Sequence, residues 1–126
     1  MQRFVEKRPI IPERIRRVPP SFSWIDRRFI RERMIERLSS EEALLYFFLV
    51  SVSDGEGLSF YGDATIAGLL HLPQSVVETA RGGLERSDLI AYRAPLYQVL
   101  ALPERGERRA GGVARLKDLL AGEGLA

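Results

Sequence analysis

Eight consecutive residues, Ala-Leu-Leu-Tyr-Phe-Phe-Leu-Val at positions 43–50, set the strongest constraint on how this chain can fold. They follow Ser39-Ser40-Glu41-Glu42. This is a capping box, in which the serine hydroxyl accepts the amide proton of Glu42 and the glutamate reaches back to the serine amide. The pattern predicts a helix from Ser39 to about Ser53. Its interior is apolar nearly all round, so it must be buried on most sides. A small domain rarely covers a helix so fully, and the expected cover is the preceding Arg-rich segment or a second subunit. The run is too short to cross a bilayer, which takes about 20 apolar residues.

The composition, 45% hydrophobic and 29% charged over 126 residues, allows one small core with extensions. There is no cysteine, which excludes a disulfide framework and thiolate metal sites. The N-terminus is charged throughout and lacks a signal-like apolar run, so the expectation is a cytoplasmic chain with no membrane partner. The charge is unevenly placed. Residues 1–37 hold eleven Lys/Arg and five Asp/Glu, whereas residues 38–102 hold three and eight. A basic arm thus precedes an acidic core, an asymmetry that points to an interaction tail.

Residues 1–22 contain Pro9, Pro12, Pro19 and Pro20 and no helical or strand period, which predicts an extended arm. Over residues 23–38, Ile30, Met34 and Leu38 recur every four positions with Ile25 and Phe29 beside them, predicting an Arg-rich amphipathic helix. Asp54-Gly55-Glu56-Gly57 reads as a tight turn. It lacks the ligand spacing of a calcium loop. Residues 58–60 make at most a short strand. Asp63 is the expected N-cap of a short helix over 64–70 that turns Ile66, Leu69 and Leu70 inward, and His71-Leu72-Pro73 ends it. A third helix is expected over 74–86, with Val76, Val77, Ala80 and Leu84 on its inner face. Its Gly82-Gly83 pair costs about 1 kcal/mol per glycine relative to alanine, which predicts a kink or an early end.

Residues 89–92 and 96–102 flank Arg93-Ala94-Pro95 as a β-hairpin with a very short tip. Leu96, Gln98 and Leu100 share one face, and Tyr97, Val99 and Ala101 the other. Residues 103–112 read as a linker. Residues 113–126 read as a short amphipathic helix that either docks into a partner's groove or folds back on its own domain.

The order of elements defines a mainly α chain with a small β-hairpin, an α+β class. Over residues 39–102 the sequence also resembles winged helix-turn-helix domains. Thr65-Ile66-Ala67 matches their usual T-[LI]-A in the second helix, and Val76-Val77 falls where they place a buried valine. The stretch from Leu84 through Glu85, Arg86, Ser87, Asp88 and Leu89 to Ile90 matches their L-x-x-x-G-L-I, with Asp88 where glycine is usual. The resemblance is greatest to small domains of bacterial plasmid and primosomal replication initiators and of mobile-element accessory proteins. It implies a third helix lying in the major groove and a wing touching the backbone. Carried over, Gln74, Ser75, Glu78, Thr79 and Arg81 face DNA, and Arg93 is the wing contact.

Arg16, Arg17, Arg27, Arg28 and Arg31 have two readings. They either grip phosphates or form a solvated face paired with their own glutamates and the acidic core. Trp24, Tyr46, Phe47 and Phe48 are expected in the core rather than as base-stacking platforms. His71 is the only histidine and has no metal partners or nucleophile beside it, so it reads as a turn residue. No pair of carboxylates or triad suggests catalysis, and no cofactor or small-molecule substrate is expected. The expected function is therefore non-enzymatic binding of double-stranded DNA in replication initiation, transposition or transcriptional control. The alternative is a protein-interaction or dimerisation module of a replication or recombination complex, docking through residues 43–50.

Overall fold

The computed structural model describes residues 5–104. Apart from Pro103 and Glu104, the expected linker over 103–112 lies outside the described residues, as does the expected helix over 113–126. The regular helices are α1 (Arg28–Arg31), α2 (Ser40–Val52), α3 (Asp63–Leu70) and α4 (Gln74–Arg86), and the strands are β1 (Leu58–Phe60), β2 (Ile90–Arg93) and β3 (Leu96–Val99). The three strands form an antiparallel sheet in the order β1-β3-β2. The chain is α+β, in a winged-helix-like arrangement. Helix α4 packs against α2 and α3, and the hairpin follows it directly. Leu45, Leu49, Ile66, Val77, Leu84, Ile90 and Tyr97, all fully buried, lock the helices to the sheet.

Helix α2 begins as its sequence dictates. The Ser39 hydroxyl accepts from the Glu42 amide at 3.1 Å, and Glu42 accepts from the Ser39 amide at 2.9 Å. It buries Leu45, Tyr46, Phe48, Leu49 and Val50, while Leu44 and Phe47 stay exposed. Part of its cover comes from the preceding segment of the same chain. Phe29 and Met34 are buried, and the Phe29 ring lies 4.7 Å from that of Tyr46.

That segment is not the single amphipathic helix expected over 23–38. It is one helical turn, α1, followed by a 3-10 turn over Met34–Arg37. Between them Arg33 adopts a left-handed backbone with φ 60°. The break turns both Phe29 and Met34 inward, and it leaves Ile25 and Ile30 exposed. A helix this short is marginal in water, so packing on α2 overrides the four-residue spacing.

The turn before β1 is built by Asp54, whose carboxylate accepts from the amides of Glu56 and Leu58 at 2.8 and 2.9 Å. Gly57 is required there. Its φ is 84°, and a Cβ would collide with the Val99 carbonyl. The expected cap of α3 is corrected. Gly62 occupies the N-cap, and Asp63 is the first helical residue with its carboxylate drawn elsewhere. Of the three residues expected to face inward, Ile66 is buried, Leu70 is partly buried and Leu69 is exposed. His71 closes α3 in the left-handed region at φ 56°, a turn residue as expected. Asp88, standing where the resembling domains carry glycine, has φ 59°.

Helix α4 runs unbroken through Gly82-Gly83, contrary to the expected kink. The second glycine has a packing cause. Gly83 is buried where α4 meets α2, and a Cβ there would overlap the Glu42 carboxylate that completes the capping box. At Gly82 a Cβ would meet only the flexible guanidinium tip of Arg86, at 3.2 Å. The two glycines should respond oppositely. Gly82→Ala is expected to raise stability by about 0.5–1 kcal/mol through helix propensity. Gly83→Ala is expected to lower it by displacing Glu42. Denaturant unfolding of the two variants checks this, and equal gains from both would contradict the packing role of Gly83.

Candidate nucleic-acid interface

The expected reading face of α4 is exposed but carries little positive charge. Gln74, Ser75, Glu78 and Thr79 all face solvent, and the Thr79 hydroxyl is turned back to donate to the Ser75 carbonyl at 3.0 Å. Arg93 is exposed at the end of β2, next to the Ala94-Pro95 tip, whose peptide bond is cis.

Arg81 lies seven residues after Gln74 on the same side of α4, but its side chain is turned into the fold. Its guanidinium donates to the Asp63 carboxylate at 2.6 and 3.3 Å and to the Tyr97 hydroxyl at 3.0 Å. It also lies 4.3 Å from the Tyr92 ring centroid, and the Tyr92 and Tyr97 rings are 4.6 Å apart. The Arg81 side chain is only 13% exposed. Burial disfavours its charge, but the hydrogen bonds to Asp63 and Tyr97 outweigh that and leave its pKa raised. Burial likewise pushes the Tyr97 hydroxyl up, against the pull of Arg81. Arg81 therefore ties the start of α3 to α4 and the hairpin, and its charge is spent inside the fold.

Arg28 is similarly engaged. It donates to the Asp26 carboxylate, with the closest approach 2.8 Å, and reaches the carbonyls of Leu102 and Pro103 at 3.4 Å. The same carboxylate accepts from the Arg28 amide at 2.9 Å, at the start of α1. Arg28's side-chain hydrogen bonds, then its amide, hold the Asp26 pKa below the ordinary carboxylate range. Burial pushes the neighbouring Tyr46 hydroxyl up, and the Asp26 charge adds to this. Arg28 thus links the segment before α1 to the chain leaving β3, with its side chain about a third exposed.

The other expected arginines remain on the surface. Every residue from 5 to 22 is exposed, with one 3-10 turn at Pro12–Arg14, so the extended arm is present and Arg16 and Arg17 face solvent. Arg27 and Arg31 are exposed on either side of the buried Phe29. The arm is also apolar in places, with Ile10, Ile11, Ile15, Val18 and Phe22 all more than half exposed.

Two aromatic residues expected in the core are outside it. Tyr46 and Phe48 are buried, but Trp24 is 72% exposed and Phe47 58%. Both line a cleft of about 520 Å³ that also takes in Arg16 and Ile25. Among the described residues, no group of His, Asp and Glu could hold a metal ion, and no helix is long and apolar enough to cross a membrane.

The fold and this surface define a class, an α+β protein of winged-helix-like arrangement with an exposed basic arm. No protein-family model, curated protein or solved structure matches the chain.

Proposed function

We propose that this chain is a non-enzymatic protein that binds double-stranded DNA, drawing most of its affinity from the arginines outside the winged-helix-like domain. The observation that carries this is the division of charge. The first two turns of α4 expose Gln74, Ser75, Glu78 and Thr79, while Arg16, Arg17, Arg27 and Arg31 are exposed on the arm and beside α1. Phosphate contacts supply affinity without sequence information, and base contacts supply discrimination. The arm accordingly holds the duplex, Arg93 adds a backbone contact from the wing, and α4 contributes modest readout. Replication initiation, transposition and transcriptional control all use proteins of this kind.

The test is duplex binding by the whole chain across a salt series, beside a variant with Gln74, Ser75 and Thr79 all replaced by alanine. The variant is expected to lose about 1–3 kcal/mol, the worth of one good base contact, and to keep the remaining affinity. Loss of all binding in the variant would move the affinity to α4. Absence of binding by the intact chain, even at low salt, would end the DNA reading.

A second reading is a docking arm for a larger protein or a second copy. The exposed Ile10, Ile11 and Ile15, which line one surface depression, with Val18 and Phe22 further along the arm, favour it, since exposed apolar patches mark interaction sites. A strictly monomeric mass in light scattering would count against the second copy.

A further inference from the structure

The cleft under Trp24 holds aromatic residues that duplex binding does not use. Trp24 and Phe47 present exposed aromatic faces to it, Ile25 adds apolar wall, and Arg16 brings a cation. No carboxylate lines it. The neighbouring cavity, about 580 Å³ and sharing Ser23 and Trp24 in its lining, also takes in Asp26, Asp54 and Glu56 as well as Arg28. A phosphate is repelled from that acidic side and drawn to the Arg16 side.

The residues on either side of Trp24 are tied to the fold. On one side the Ser23 hydroxyl donates to the Val50 carbonyl of α2, and on the other the Asp26 carboxylate is tied to Arg28. An indole kept in water by an anchored backbone is an open stacking surface. Base-on-aromatic stacking beside a cation is how single strands are held without sequence preference.

We propose that the cleft between Trp24 and Phe47 binds an unpaired base of single-stranded DNA, with Arg16 on the adjoining phosphate. This rests on the reading of the chain as a DNA-binding protein and names a second form of DNA for it. In a duplex the base faces are stacked on one another and do not reach the indole. The site therefore separates the two forms, with duplex binding resting on the arm arginines and strand binding adding Trp24 and Phe47.

Trp24 is the only tryptophan, so its emission reports the site directly. The intact chain is titrated with a short thymidine oligonucleotide and with a mixed-sequence duplex of equal length. Saturable quenching by the oligonucleotide, and little by the duplex, is expected. Trp24→Ala is expected to weaken single-strand binding about tenfold or more, Trp24→Phe to retain most of it, and neither to change duplex binding. Phe47→Ala provides an independent check, with a smaller loss in the same direction.

Duplex binding without quenching by the single strand, and with Trp24→Ala neutral, overturns the site and leaves the duplex reading standing. Single-strand quenching without duplex binding does the reverse. Binding of neither form overturns both. Emission that shifts on concentrating the protein alone, with a doubled mass in light scattering, puts a second copy on the cleft and also overturns the proposal.

Discussion

Replacing Asp63 by alanine is expected to destabilise the fold by about 2–4 kcal/mol, below the 3–5 kcal/mol of a fully buried pair because water still reaches this one. The loss comes less from the missing attraction than from Arg81, which would be left charged and largely enclosed. Its side chain is 13% exposed, and only the Tyr97 hydroxyl and the Tyr92 ring would remain to receive it. Arg81→Met should cost less, because it removes the charge and keeps an apolar stem. It leaves Asp63 at the start of α3, where a carboxylate suits the helix dipole. The double variant should then be less destabilised than the sum of the two, since neither charge is stranded. Urea unfolding of the three proteins measures these differences. The same Arg81→Met variant should bind duplex DNA as the parent does. A stable Asp63→Ala protein, or a DNA defect in a well-folded Arg81→Met protein, would return Arg81 to the reading face.

The second large effect concerns DNA. Replacing Arg16, Arg17, Arg27 and Arg31 together by alanine is expected to lower duplex affinity on the order of a thousandfold near 0.1 M salt, if each meets one phosphate. All four are exposed, so the fold should survive the change. The loss should be uniform across DNA sequences, because backbone contacts position the duplex and do not read it. Arg28 is excluded from the set. Its replacement would release Asp26 and the carbonyls of Leu102 and Pro103, and would confuse a structural defect with a binding one. Measuring the variant on two unrelated duplexes separates these cases. A loss confined to one sequence would mean that these arginines reach base edges.

Much of the fold was legible because it is encoded locally. The capping box at Ser39 and Glu42 and the turn at Asp54 depend on residues close in sequence and appear where expected, and the alternation of β3 holds from Leu96 to Val99, short of the expected end at Leu102. Asp88 is a subtler case. The resemblance marked its position as one for glycine, and the left-handed backbone explains why.

What was not legible depends on distant partners. Arg81 meets Asp63 and Tyr97, 18 and 16 residues away, and nothing in the local helical pattern distinguishes it from a solvent-facing arginine. The break at Arg33 is a single backbone residue inside a regular four-residue spacing, accompanied by burial of Met34 and by packing of Phe29 on Tyr46 of α2. Gly83 read as a helix defect because its reason, Glu42, lies on another helix. Trp24 carried a weak signal that aromatic character obscured. It comes shortly after Pro19-Pro20 and directly after Ser23, off the four-residue spacing of Ile30, Met34 and Leu38.

The most direct test of where the DNA affinity resides is the salt dependence of duplex binding by the intact chain and by the fourfold arginine variant. Each phosphate contact contributes about 0.9 to the slope of log affinity against log salt. The slope should therefore fall by about 3–4 in the variant if all four residues touch phosphate. An unchanged slope with unchanged affinity would contradict the arm as the DNA grip and leave the acidic domain to account for any binding.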